Sequence, residues 1–125
     1  MQPNWVMQRA YLTPNRVALS FGQEQWTFQQ LHEEAQVIAF QLHALGVERG
    51  QRVALLAPSN PELIKVIYGC MHAEIEIVML NARLSEKELA YQIIDAEVTC
   101  VLVHEQELYK LPQDTTSILF SSIYN

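Results

Sequence analysis

Glycine is scarce here: the 125 residues hold four, Gly22, Gly46, Gly50 and Gly69. A phosphate-binding loop needs backbone that comes close to its ligand, and glycine is what permits that approach. Gly46 and Gly50 are separated by Val47-Glu48-Arg49, and no Lys-Ser or Lys-Thr follows them. They read as a helix stop and a turn. Positive charge is scarce too, with 8 Lys and Arg against 14 Asp and Glu, a net charge of −6 and no basic run. That argues against nucleic acid as a partner, because a basic stripe is needed to displace counterions from phosphate. Only two cysteines occur, Cys70 and Cys100, each within an apolar run and neither beside a second Cys or a His at metal-ligand spacing. They read as small buried hydrophobes of a reducing compartment. No apolar run approaches the roughly 20 residues of a membrane span. The opening Met1-Gln2-Pro3-Asn4-Trp5 lacks the basic-then-apolar order of a secretory signal. These absences predict a cytoplasmic chain with no membrane span.

What is present is a 50% hydrophobic, 18% charged sequence, enough for one domain with a core of its own. Helical and strand periods alternate along it. Asn4 to Leu12 reads as a short helix stopped by Pro14. Val17–Phe21 and Gln25–Phe28 read as the strands of a hairpin turning at Gly22-Gln23-Glu24-Gln25. The next helix is opened by Thr27 and Gln30 at capping-box spacing. Its stripe of Leu31, Ala35, Ile38, Ala39, Leu42 and Leu45 faces a core, and Gly46 closes it in a left-handed turn. Val53–Leu56 is a continuous apolar run suited to a strand covered on both faces. Asn60, Pro61 and Glu62 supply a cap, a first helical position and a favourable charge for a helix through His72. Ile75–Leu80 returns as a strand. Ser85 and Glu88 form another capping box, opening a helix through Leu89, Ala90, Ile93 and Ile94. Val98–Val103 reads as a further buried strand and Ser117–Phe120 as one more. The alternation predicts an α/β fold, a partial doubly wound domain with a mostly parallel sheet.

Chemistry is harder to find. His32, His43, His72 and His104 include no pair at the i, i+4 spacing of a helical metal site, and His32 and His43 read as solvated helix surface. Thr115-Thr116-Ser117 and Ser121-Ser122 read as loops. No Ser, Thr or Cys stands in a nucleophile motif. From residues alone, no catalytic or metal-binding residue is assigned.

Several segments together resemble a known family. Pro3-Asn4-Trp5, Arg9-Ala10 and Leu12-Thr13-Pro14-Asn15-Arg16-Val17-Ala18 are similar to the opening of bacterial o-succinylbenzoate–CoA ligases. Trp26-Thr27-Phe28-Gln29-Gln30-Leu31 resembles the first core motif of acyl-adenylate-forming (AMP-binding) ligases. Gly46-Val47, Gly50, Val53-Ala54-Leu55-Leu56 and Pro58-Ser59-Asn60-Pro61-Glu62 follow in the family's order, and Leu80-Asn81-Ala82-Arg83-Leu84-Ser85 with Glu88-Leu89 resembles the stretch after its second core motif. The likeness covers residues 3 to 103. It implies that residues 1–125 are an N-terminal, incomplete segment of an AMP-dependent ligase domain. The family's enzymes join a carboxylate to ATP, releasing pyrophosphate, and then let CoA displace AMP. For this subfamily the acid is o-succinylbenzoate, in menaquinone biosynthesis. ATP, Mg2+ and CoA are implied as cofactors of the whole enzyme, with an aromatic or acyl carboxylate as substrate. The phosphate loop, the acidic metal site and the catalytic Lys of the family do not occur in these residues, so the chain alone is expected not to adenylate. One position carries a ligand role by resemblance: Arg83 matches an Arg that lies near a CoA phosphate in a related ligase. The competing class is a non-catalytic binding or regulatory module docking through an open sheet edge.

Two positions depart from the pattern. Where the family usually has Ala-Gly-Ala-Val, this sequence has Ala73-Glu74-Ile75-Glu76. Glu74 in a left-handed position is expected to cost about 1–2 kcal/mol. Glu76, if buried in the strand, would leave a carboxylate unpaired. Three accounts stand open: a pair of carboxylates on one strand face for acid–base or metal chemistry, an exposed strand face, or a drifted remnant.

Overall fold

The computed structural model describes residues 5–124. The first helix, α1, spans Trp5–Leu12; its expected start at Asn4 lies outside the described residues. β1 (Val17–Phe21) and β2 (Glu24–Thr27) pair antiparallel, with an irregularity between Val17 and Leu19. The hairpin turn is tighter than expected, because Glu24 already pairs with Phe21 and Phe28 belongs to the following helix. Gly22, at φ +61°, supplies the left-handed residue that so short a connection demands.

α2 (Phe28–Ala44) opens with the expected reciprocal cap: Thr27 accepts from the Gln30 amide, and the Gln30 side chain accepts from the Thr27 amide. Leu31, Ala35, Ile38, Ala39 and Leu42 are buried along it. Leu45 is a correction. It falls on the C-cap rather than the helix and is exposed, because the chain leaves the helical period at that residue and turns through Gly46 at φ +95°.

β3 (Arg52–Leu56), α3 (Pro61–His72), β4 (Glu76–Met79), α4 (Glu86–Ala96), β5 (Cys100–Val103), a 3₁₀ helix (Glu105–Lys110), β6 (Ser117–Leu119) and α5 (Phe120–Tyr124) complete the order. Asn60 caps α3, with Pro61 in its first turn, and Ser85 with Glu88 caps α4. The expected Ser117–Phe120 strand is one residue shorter, since Phe120 begins α5. Ser121 and Ser122 are therefore helical rather than loop residues, and Ser117 lies in β6.

The sheet runs β4-β3-β5-β6 with every neighbouring pair parallel. After β4 the chain crosses over β3 to add β5 on its other side. Helices cover both faces, and strand alternation sorts the core. Val53, Leu55, Cys100 and Leu102 point toward α2, α3 and α5, among Ile38, Leu42, Val66, Cys70, Phe120 and Ile123. Ala54, Leu56, Val101 and Val103 point the other way, toward Leu89 of α4 with Leu80 and Leu111. β3 and β5 are the central strands and are buried on both sides, as their continuous apolar runs require.

Gly69 sets the distance between α2 and α3. A Cβ built there lies 2.3 Å from Ile38 Cγ2 and 2.7 Å from its Cβ, so only a hydrogen fits. Among the described residues, no helix is long and apolar enough to cross a membrane.

Candidate functional site

In open parallel sheets, ligands bind beyond the carboxyl ends of the strands, where connections diverge to opposite faces. Here that rim carries the turn after β4, the start of α3 after β3, and the 3₁₀ helix after β5. None of the four glycines stands on it: Gly22 is in the hairpin, Gly46 and Gly50 precede β3, and Gly69 is inside α3. The left-handed glycines therefore lie away from the rim, and the described residues do not fit an ATP phosphate cradle.

Arg83 does sit on the rim. It occupies the exposed turn between β4 and α4, and its amide donates to Asn81 Oδ1 at 2.9 Å. The Leu84 amide donates to the Asn81 carbonyl at 3.1 Å, and the Asn81 amide reaches Gln92 Oε1 of α4 at 3.4 Å. Lys110 Nζ, from the end of the 3₁₀ helix, donates to the Ala82 carbonyl. No described carboxylate pairs with the Arg83 guanidinium. A forked cation on a fixed backbone suits a phosphate group by charge and geometry.

His104 closes the other side of the rim. It is buried, caps the 3₁₀ helix by accepting from the Gln106 amide through Nδ1, and so turns Nε2 toward Glu62 Oε2 at 3.6 Å. Phe120 packs edge-on against its ring. Tyr124 donates its hydroxyl to the Glu62 carbonyl, and burial pushes its phenol above the ordinary range. The Glu105 carboxyl is held below its ordinary value, first by the Ser121 side chain and then by backbone donors. These contacts tie α3, the 3₁₀ helix and α5 together.

The structure redistributes the remaining candidates. His32 and His72, on α2 and α3, meet with ring centroids 5.6 Å apart, so His32 is half-buried rather than solvated surface. Burial first, then the neighbouring His72, lowers its pKa from 6.5. His43 is exposed and pairs through Nδ1 with the Val47 carbonyl. Cys70 and Cys100 are buried free thiols. Burial, with Cys100 nearby, pushes the Cys70 thiol up to about 12, which removes it from nucleophilic chemistry.

Glu74 and Glu76 do not form a carboxylate pair for catalysis. Glu74 lies outside β4, in a left-handed position at φ 58°, and pairs with Arg49. Glu76 lies on β4 opposite Arg52 and pairs with it at 3.3 Å. Its side chain is 60% exposed, which matches the exposed strand face among the three accounts left open for it. The physical reason is position: β4 is an edge strand, and Glu76 is its first residue. A charge there also discourages docking by strand addition, the mode that an open edge invites. Among the described residues, no three His, Cys, Asp or Glu side chains gather in a way that could hold a metal ion.

Asn81, Gln92, Glu107 and Lys110 are the rim residues that sequence reasoning passed over. An Asn two residues before Arg83 is a recognisable local-turn signal. The contact of Lys110 with a residue 28 positions away has no local signature.

The sequence matches the AMP-binding enzyme family over residues 6–122. It is 45% identical over 103 residues to the 2-succinylbenzoate–CoA ligase of Bacillus cereus, covering 82% of this chain and 21% of that protein. It is 47% identical over 105 residues to the Bacillus mycoides ligase of the same name, covering 84% and 22%. The o-succinylbenzoate coenzyme A synthetase of Bacillus subtilis, solved with ATP and magnesium, superposes with a TM-score of 0.92 at 30% identity, covering 99% of this chain and 34% of that one. The chain thus spans about a fifth of the length of the curated relatives it matches, and its α/β architecture is that of the N-terminal part of such synthetases. With the family matched along nearly its whole length and the expected parallel sheet in place, the chain belongs to the AMP-binding enzyme family.

Proposed function

We propose that residues 1–125 serve as the opening βα units of the large domain of a 2-succinylbenzoate–CoA ligase. The parent reaction joins o-succinylbenzoate, ATP and CoA into o-succinylbenzoyl-CoA, AMP and pyrophosphate, a step of menaquinone biosynthesis. The observation that carries this reading is the 45% identity to ligases of that name over 82% of the chain. Within the reaction these residues act mainly as scaffold. The buried β3–β5 pair fixes the sheet, and its carboxyl rim presents Arg83 to a phosphate of CoA. ATP with its Mg2+ is held by other parts of the ligase, because the rim has no glycine-lined backbone to grip a triphosphate. The isolated chain is therefore inert in adenylation. The ligase works in the cytoplasm, where Cys70 and Cys100 stay reduced.

A chimera tests the reading. The matching stretch of the Bacillus cereus ligase is replaced by this chain, and o-succinylbenzoyl-CoA formation is measured. Turnover is expected, with Arg83→Ala raising KM for CoA by about tenfold, the worth of a lost charge-assisted contact, while KM for ATP stays unchanged. A folded chimera without activity sinks the assignment, and an unchanged KM for CoA sinks the role of Arg83. Pyrophosphate exchange by the purified 125-residue chain would overturn the scaffold reading.

A further inference from the structure

The turn that carries Arg83 is held from outside as well as from within. Asn81 closes it locally through its side chain and its carbonyl, and Gln92 ties it to α4. The Ala82 carbonyl, next to Arg83, takes no part in these bonds and accepts from Lys110 Nζ. Lys110 is in turn held by Glu107 Oε2 at 3.0 Å, one helical turn back, and the two side chains are 24% and 14% exposed. The hydrogen bond that Lys110 donates to the Glu107 carboxylate raises the Lys110 pKa above its ordinary value, so the ammonium keeps its charge at neutral pH. The rim after β5 thereby braces the rim after β4, across the span of the sheet that lies between them.

We infer that Lys110, anchored by Glu107, is a positioning residue that presets the Arg83 turn for a phosphate-bearing ligand. The inference rests on the Arg83 reading above and deepens it. An arginine on a loose loop must surrender backbone freedom when it meets phosphate, and a braced turn has surrendered it beforehand. Lys110 spends its charge on the Ala82 carbonyl and on Glu107, so it acts through the turn and not on the ligand.

The test uses the chimeric ligase for kinetics and the 125-residue chain for amide exchange. Lys110→Met is expected to raise KM for CoA about fivefold, the worth of one hydrogen bond, with kcat and KM for ATP unchanged. In the chain alone it is expected to speed exchange of the Arg83 and Leu84 amides. Lys110→Arg should restore both, and Glu107→Gln, which removes no donor to Ala82, should shift both in the same direction by less. In an Arg83→Ala background, Lys110→Met should add nothing, because it acts through that residue. An undiminished effect in that background would mean that Lys110 meets CoA itself, and the positioning role falls. If Arg83→Ala weakens CoA use while Lys110→Met changes neither KM nor exchange, the brace is idle and the inference falls alone. If Arg83→Ala has no effect, or the chimera is inactive, the underlying reading falls and takes this one with it.

Discussion

The two faces of the sheet are built to different standards. On one, α2 and α3 approach so closely that Gly69 leaves no room for a Cβ against Ile38, and α3 buries Leu63, Lys65, Val66, Gly69 and Cys70. Even the lysine is accommodated: Lys65 pairs with Glu34 at 3.1 Å, and its ammonium lies 4.1 Å from the centre of the Trp26 ring. On the other face α4 buries only Leu89, and Tyr91 and Ile94 stand 68% and 75% exposed. Both helices carry apolar residues at helical spacing. An amphipathic stripe is buried only as far as there is a surface to meet it, and on α4 that surface covers Leu89 fully and Ile93 in part.

The largest test of this difference truncates one buried leucine on each face. Leu55→Ala, facing α2 and α3, should cost about 3–5 kcal/mol, and Leu89→Ala about 2–3 kcal/mol because α4 can settle into the gap. Chemical denaturation of both variants reads this directly, and equal costs would break the contrast. Next, Gly69→Ala should cost about 1–3 kcal/mol through overpacking of Ile38. A neutral result would mean that the α2–α3 contact is as forgiving as that of α4.

A smaller effect compares the two left-handed glutamates that close these helices. Glu74 follows α3 at φ 58° and Glu97 caps α4 at φ 53°. Glu74 has Arg49 as an ion-pair partner; Glu97 has no ion pair among the described residues. Glu97→Gly should therefore stabilise by about 1 kcal/mol, and Glu74→Gly by less, because the strain it relieves is partly offset by the lost pair. Thermal melts of the two variants give the order, and a larger gain at Glu74 would reverse it.

The smallest effect is one of pH. The folded-state pKa of His32 is depressed from 6.5, so the unfolded chain binds its proton more readily. The neutral imidazole's contribution to stability is complete above 6.5, declines as pH falls below it, and levels off once pH passes the lowered folded value. His32→Gln should reduce the loss of Tm between about pH 7.5 and about pH 5.5. An unaltered pH dependence would place the acid sensitivity elsewhere.

The capping boxes at Thr27 and Ser85, the proline-started α3 and the doubly buried β3 and β5 were all legible, because each depends on residues within a few positions of one another. Arg83 was singled out by resemblance alone, while the Asn81 turn that carries it has a local spacing signal that went unread. Leu45 misled because periodicity records which side chains could face a core without recording where the core ends. Glu76 stayed open between accounts because the same strand residue is costly in the centre of a sheet and harmless at its edge, and the sequence does not say which strand is the edge.

The amino-acid order alone determined the elements, their sequence and the alternation that makes a parallel sheet. Those follow from local backbone preference and from the period of apolar residues, which any short window contains. The tertiary structure alone decided which strand lies at the edge, why Gly69 has no side chain, how His32 and His72 come to share a contact, and that Lys110 braces a turn 28 residues before it. Each of these joins groups distant along the chain, and their nearness exists only once the sheet and its helices have packed.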